Sequence, residues 1–143
     1  VYGIELEEEA VRCADELIAP NKLEGKLFNR CGRVEDILPE VLASQDLSKT
    51  MLVVDPPRKG VDRGTLKAIL RSGIPSVAMI SCDPATLARD LGILTGSLVD
   101  ENGALVKAPS PAGKYAVTCV EPFDMFPQTK HVETLVMLER KNP

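Results

Sequence analysis

Four short stretches of this sequence combine residue types that can do chemistry. In Ser81-Cys82-Asp83-Pro84, a thiol stands just before a helix start, because Asp83 suits an N-cap and Pro84 the first helical position. A helix N-terminus favours an anion, so Cys82 reads as a nucleophile. The Asp83 carboxylate opposes a second negative charge beside it. The competing reading of Cys82 is a small apolar residue closing a core strand. Glu133 opens the apolar run Thr134–Leu138, where an acid is unexpected and can serve as a general base. His131 lies two residues earlier and shares the face of Glu133 if the strand begins there; a single loop histidine can equally be structural. Asp55 follows the run Met51–Val54 and precedes Pro56-Pro57. The first proline keeps Asp55 out of the helical region, and the pair stiffens the turn and removes two donors. Asp55 is thereby aimed rigidly out of the strand end; the competing reading is a plain Pro-rich turn. Arg58, Lys59 and Arg63 add a basic cluster suited to phosphate, although any exposed loop can carry one. Glu5 ends the first predicted strand, where a carboxylate can accept both hydroxyls of a ribose or simply be solvated.

The periodicity supplies the elements that must hold these groups. Val1–Leu6 reads as a strand and 7–19 as a helix with Ala10, Val11, Ala14, Leu17 and Ile18 on one face. Lys26–Cys31 is a strand, and 34–42 is helical despite Pro39. Met51–Val54 is a continuous apolar run, the pattern of a strand buried on both faces. Asp62 caps a helix over 63–71. Ser76–Ile80 is a further buried strand, and the helix after Asp83 runs to about Leu94. Residues 96–114, rich in Gly, Pro, Ser and charge, read as an exposed loop or hairpin. Tyr115–Val120 is a strand, 121–130 a loop, and 132–139 the last strand. Repeated β-α units imply right-handed crossovers and an α/β fold with a mostly parallel sheet. No helix separates the last two strands, so one of them is expected to run antiparallel. Ligands of open α/β sheets bind outside the carboxyl ends of the strands. Glu5, Asp55, Cys82 and the segment His131–Glu133 all stand there and are expected to converge.

The bulk composition narrows the classes. The 143 residues suit one domain, and 17 basic against 21 acidic residues give a net charge of −4. That balance provides no global field for nucleic acid, so an RNA partner must be held by a local patch or by other parts of a larger protein. No run of about 18 apolar residues predicts a membrane span. The four cysteines, Cys13, Cys31, Cys82 and Cys119, form no CxxC pair, and His131 is the single histidine. A zinc or iron–sulfur site within this chain is therefore not expected. Cys13, Cys31 and Cys119 read as small apolar residues in or near the core. The first residue is Val1, already within a predicted strand, and the expectation is a part of a longer protein with an N-terminal region upstream.

Taken together, Gly3-Ile4-Glu5, Val53-Val54-Asp55-Pro56-Pro57-Arg58-Lys59-Gly60, the run Ser81–Asp90 (SCDPATLARD) and the run Asp124–Glu133 (DMFPQTKHVE) closely resemble the RNA uracil-5-methyltransferases. These S-adenosylmethionine-dependent enzymes make 5-methyluridine in tRNA and rRNA. The matching runs span nearly the whole chain in the family's order. Asp-Pro-Pro alone is shared with other methyltransferases; the last two runs are specific. The resemblance implies a Rossmann-like class I methyltransferase fold, with residues 1–143 forming part of the catalytic domain. It implies that Cys82 adds to C6 of the target uracil and that Glu133 removes the C5 proton. By the same resemblance Glu5 binds the cofactor ribose, Asp55 lies at the cofactor and base pocket, and Gly32 or Arg33 lies on the adenine side. Arg58, Lys59 and His131 are the expected contacts to an RNA substrate, tRNA or rRNA, and the expected compartment is the cytoplasm, with an organelle or the nucleus left open.

The sequence also departs from the family. The Gly-rich cofactor loop and its strand, the first of the fold, are expected upstream of Val1, leaving a gap between the Glu5 and Asp55 strands. The isolated chain is accordingly expected to be inactive. Two other readings differ in kind. An amino-methyltransferase would use Asp55-Pro56-Pro57 against an exocyclic amine, but that motif ends in an aromatic residue where Arg58 stands here, and Cys82 and Glu133 would be idle. A non-catalytic α/β module would bind RNA or protein without chemistry.

Overall fold

The computed structural model describes residues 1–101, 104–109 and 112–141. The chain divides into two compact units, Val1–Gln45 and Asp46–Pro143. In the first, β1 (Tyr2–Glu5), α1 (Glu8–Glu16), β2 (Phe28–Cys31) and α2 (Val34–Leu42) follow in β-α-β-α order. β1 and β2 pair in parallel, from Tyr2 opposite Phe28 to Glu5 opposite Cys31. The Tyr2 and Phe28 rings stack at the start of this ladder with centroids 5.2 Å apart. Glu8 and Glu9 occupy the first turn of α1, where the macrodipole favours acids. α1 ends at Glu16 rather than Ala19, and the Asn21 side chain donates to the Leu17 carbonyl at 2.8 Å, closing the terminus.

The second unit begins with a 3₁₀ turn at Leu47–Lys49 and continues with β3 (Met51–Val54), α3 (Arg63–Ser72), β4 (Ser76–Ser81) and α4 (Pro84–Thr95). β5 (Leu98–Glu101), β6 (Ala104–Lys107), β7 (Tyr115–Phe123) and β8 (Glu133–Arg140) complete it. The main sheet has the order β3-β4-β8-β7. β3 and β4 are parallel, whereas β8 runs against both β4 and β7. The expected antiparallel terminal strand is therefore β8. The segment read as a loop or hairpin is a hairpin of β5 and β6, with Leu98 opposite Lys107; residues 102–103 and 110–111 of it lie outside the described residues.

The core of this unit is made by Leu66 and Ile69 of α3, Ile74 just before β4, Val77 and Met79 of β4, Leu87 and Leu94 of α4, and Val136 and Leu138 of β8. In β8 the alternation is strict: Thr134, Val136 and Leu138 are buried, and Glu133, Leu135 and Met137 are half-buried. Tyr115 is fully buried, and its hydroxyl donates to the Ile74 carbonyl at 2.9 Å. A polar group is thus satisfied inside the core while its ring fills it.

Three expectations need correction. Met51 and Val53 are 54% and 59% exposed, so β3 is not buried on both faces. β3 is an edge strand of its sheet, and the apolar run alone cannot reveal that one face lacks a cover. Cys13, Cys31 and Cys119 are exposed, not core. The first two belong to the small unit, where α1 buries no residue, and Cys119 follows a register shift on the edge strand β7. β7 also continues through Pro122 to Phe123, residues read as loop; an edge strand tolerates a proline.

The Tyr115 hydroxyl and the Ile69 side chain offer a test of this packing. Tyr115→Phe leaves the Ile74 carbonyl without its donor and is expected to cost about 1 kcal/mol. Ile69→Ala opens a cavity in the core and should cost about 2–5 kcal/mol. Urea unfolding midpoints measure both, and equal losses would contradict the description.

Candidate functional site

Cys82 follows the last residue of β4, and Glu133 is the first residue of β8. Ser81 pairs with Thr134 in the antiparallel ladder. One step further out along both strands lie Cys82 and Glu133, residues 51 positions apart in the chain. Opposed positions of such a ladder have Cα atoms about 4.5–5.5 Å apart. Both side chains are partly exposed. This juxtaposition is the centre of the candidate site.

The turn carrying Cys82 is fixed by its neighbours. The buried Ser81 hydroxyl accepts from the Asp83 N–H at 3.3 Å. Asp83 caps α4, accepting from the N–H groups of Ala85 and Thr86 at 3.0 and 2.9 Å, and Pro84 occupies the first helical position. These bonds hold the Asp83 carboxyl below its ordinary pKa, chiefly through the Thr86 N–H, with the nearby positive potential of His131 a smaller contribution. Asp83 is therefore committed to its cap.

His131 reaches the same turn. Its Nδ1 lies 3.4 Å from the Cys82 carbonyl oxygen. A carbonyl only accepts, so this contact calls for a proton on Nδ1. The ring meets Phe126 edge-on, with centroids 6.4 Å apart. The loop from β7 to β8 bends at Phe126-Pro127-Gln128-Thr129. Gln128 has φ +63°, and the Phe126 carbonyl accepts from the Thr129 N–H at 3.2 Å and the Thr129 hydroxyl at 2.8 Å. Proline at the second position and a left-handed third residue are features of a type II turn. The Thr129 hydroxyl in turn accepts from the His131 N–H at 3.1 Å. Gln128 and Thr129 thus aim His131 and Glu133. Sequence reading did not single them out, although Pro-Gln-Thr before a lone histidine is a turn signal.

Asp55 follows β3. Val54 pairs with Met79, so Asp55 lies level with Ile80, two residues short of Cys82 on the neighbouring strand. Asp55, Arg58 and Lys59 are exposed. The Arg58 carbonyl accepts from the Thr86 hydroxyl at 3.2 Å, which ties this loop to α4. In the second unit the structure thus brings together Cys82, Glu133 and His131, with the Asp55 loop on the adjacent strand end.

The remaining candidates belong to the first unit. Glu5 is exposed at the end of β1, and its Oε1 accepts from the N–H groups of Leu6 and Glu7 at 2.6 and 2.9 Å. One oxygen thus fixes the turn into α1. Gly32 has φ +144°, and a Cβ there would lie 2.8 Å from Cδ1 of Ile37. Glycine is needed at this strand-to-helix turn for both reasons. Arg33 caps α2 through its backbone, and its guanidinium bonds to Glu35 at 2.6 Å. Among the described residues, no three His, Cys, Asp or Glu side chains gather as a metal set, and no helix is long and apolar enough to cross a membrane.

The strand order, with one antiparallel strand between two parallel ones and helices linking the parallel strands, is that of a Rossmann-like class I methyltransferase fold. Solved structures agree on the fold. The tRNA (uracil-54, C5)-methyltransferase of Pyrococcus abyssi, solved with S-adenosyl-L-homocysteine, superposes with a TM-score of 0.68 at 23% identity, over 96% of this chain and 28% of that one. A human methyltransferase 10 domain containing protein gives a TM-score of 0.51 at 11% identity, over 99% of this chain and 61% of that one. The family model described as tRNA (Uracil-5-)-methyltransferase matches residues 24–141, and the chain belongs to that family. An uncharacterized RNA methyltransferase of Clostridium acetobutylicum is 38% identical over 140 residues, which are 98% of this chain and 26% of that protein. One of Enterococcus faecalis is 36% identical over 140 residues, 98% of this chain and 27% of that protein. The chain thus spans about a quarter of the length of these relatives.

The Asp83 cap makes a pH prediction. Its folded pKa lies below the ordinary 3.8, so its contribution is complete above that value and is lost as pH falls through the folded one. Asp83→Ser keeps a cap that does not titrate. Its urea midpoint should therefore fall less than that of the wild type between about pH 5 and about pH 3. Parallel pH profiles would contradict the assignment.

Proposed function

We propose that the protein to which this chain belongs methylates C5 of a uridine in tRNA or rRNA, using Cys82 as nucleophile and Glu133 as general base. The observation that carries this reading is the register of β4 and β8, which sets Cys82 and Glu133 at adjacent strand ends in a chain of this family. Uracil C5 is a poor nucleophile until C6 carries an electron-donating adduct. The Cys82 thiolate forms the Sγ–C6 bond, and the displaced electron pair moves through C5 to the O4 enolate. S-adenosylmethionine, when bound, supplies the electrophilic methyl that C5 receives. Glu133 then takes the C5 proton, the C5=C6 bond re-forms, and Sγ leaves as thiolate. Two covalent steps replace one inaccessible step, and the enzyme thiol is regenerated.

The chain's other residues bind and orient. Glu5 accepts from the ribose hydroxyls of the cofactor through Oε2, which has no donor among the described residues; an exposed carboxylate at a strand end fits a diol. Gly32 and Arg33 border the adenine. Asp55 meets the polar edge of the cofactor and base. Arg58 and Lys59 contact RNA phosphates, and His131 supports the substrate side of the thiol loop. The base must be unstacked to reach Cys82, so the substrate is a loop nucleotide or one turned out of its helix.

In the full-length protein, 5-fluorouridine RNA should trap a covalent adduct through Cys82, because fluorine at C5 cannot leave as a proton does. Cys82→Ala should abolish both the adduct and methylation. Glu133→Gln should still add to C6 but turn over more slowly by about 10²–10⁴-fold. Mass spectrometry that places the methyl on a nitrogen, or full methylation by Cys82→Ala, would overturn the proposal. Residues 1–143 alone should show no methylation, and calorimetry with S-adenosylmethionine should detect no micromolar binding.

A further inference from the structure

One charged group is buried away from the reacting residues. Asp90 of α4 is fully buried, and neither the nucleophile nor the base touches it. Its Oδ1 accepts from Nε and Nη2 of Arg89 at 2.8 and 2.6 Å, and its Oδ2 accepts from the Val61 N–H at 2.7 Å. The Arg89 Nη2 also donates to the carbonyls of Lys59 and Val61 at 3.1 and 3.3 Å. Thr86, one turn earlier on α4, donates to the Arg58 carbonyl. Side chains of a single helix thereby engage the carbonyls of Arg58, Lys59 and Val61 and the N–H of Val61.

Gly60 shows how closely the two parts approach. It has φ +78°, and a Cβ there would stand 2.5 Å from Nη2 of Arg89 and 2.6 Å from Oδ2 of Asp90. Only glycine admits the clamp at this position. The Gly60 N–H donates to the Pro57 carbonyl at 2.8 Å, so the loop is a closed turn. Two prolines link that turn to Asp55. At the other end of α4, the Asp83 cap leads directly to Cys82. An unbroken series of stiff joints therefore runs from Asp55 through the clamp to Cys82.

Burying the Asp90 end of an ion pair is a poor route to stability, since well-packed apolar groups often serve as well or better. The pair's distinctive property is direction. An arginine fork and a carboxylate fix several backbone groups at once, which apolar contacts cannot do.

We propose that Asp90 and Arg89 are positioning residues for methyl transfer, clamping the Asp55–Gly60 loop to α4 and so holding Asp55 at a fixed offset from Cys82. This rests on the reaction proposed above. Loosening the clamp slows the chemistry even with RNA bound, because a misplacement of about 1 Å at a reacting centre can cost up to about 100-fold; it also frees Arg58 and Lys59, so RNA affinity is no measure of the positioning role.

The experiment uses the full-length protein with 5-fluorouridine RNA. The end point of adduct formation counts competent sites, and its rate is expressed per competent site. Asp90→Asn keeps the size and one acceptor for the Val61 N–H but loses the negative charge and the second oxygen, which accepts from Arg89. Arg89→Lys cannot reach all its acceptors at once. Each should lower the rate per site at saturating RNA, and kcat for methylation, by about tenfold. A merely structural role would lower the melting temperature and the number of competent sites but leave the rate per site unchanged; that result overturns the inference. If Asp90→Asn does not fold, Arg89→Lys decides, because its side chain is 37% exposed. Loss of the reaction reading itself would look different: the wild type would form no adduct, or Cys82→Ala would still methylate C5. A wild type that needs Cys82, beside clamp variants with normal rates per site, removes the clamp alone.

Discussion

The second unit depends on one insertion: β8 lies between β4 and β7 and runs against both. A parallel strand in that position would present its carboxyl end beside Cys82 and carry Glu133 to the far side of the sheet. The antiparallel direction presents the amino end of β8, so the first residue of that strand stands beside the last residues of β4. The connection from β7 is a turn with no crossover helix, and such a short link permits only the antiparallel course. Pro127 and the left-handed Gln128 set that turn. The juxtaposition of Cys82 and Glu133 is thus specified by backbone hydrogen bonding, and the burial of Thr134, Val136 and Leu138 fixes the register.

Much of this was legible from residue types. Helix 34–42 follows from its own periodicity, and the start after Asp83-Pro84 from capping chemistry. Glu133 stood out because an acid opening an apolar strand is unexpected, and β8 does begin there. Family resemblance then joined Cys82 to Glu133, a pairing that no local pattern could supply across 51 residues.

The failures have a common physical origin. Met51–Val54 has the composition of a doubly covered strand, but composition does not report which neighbours are present, and β3 has a partner on one side only within its sheet. The exposed cysteines fail for a similar reason: a free thiol usually goes inside, but the small unit offers Cys13 and Cys31 little interior, and Cys119 lies on an edge strand. The Arg89–Asp90 clamp was invisible in another way. An adjacent Arg-Asp pair on a helix looks like ordinary surface charge, and its meaning comes from the carbonyls of a loop some 30 residues away.

The chain order of the sheet has a consequence for biosynthesis. β3, α3, β4 and α4 form a contiguous stretch whose contacts are near in sequence, so they can assemble early as the chain emerges from the ribosome. β8 is made last among the described strands, and its pairing with β4 closes a loop of more than 50 residues. Until it arrives, the thiol of Cys82 sits at an open strand edge with no carboxylate opposite it. A ribosome-bound or prematurely ended chain therefore carries the Cys82 thiol without the Glu133 carboxylate beside it, and under the proposed reaction competence arises only when the most distant pairing in this sheet has closed.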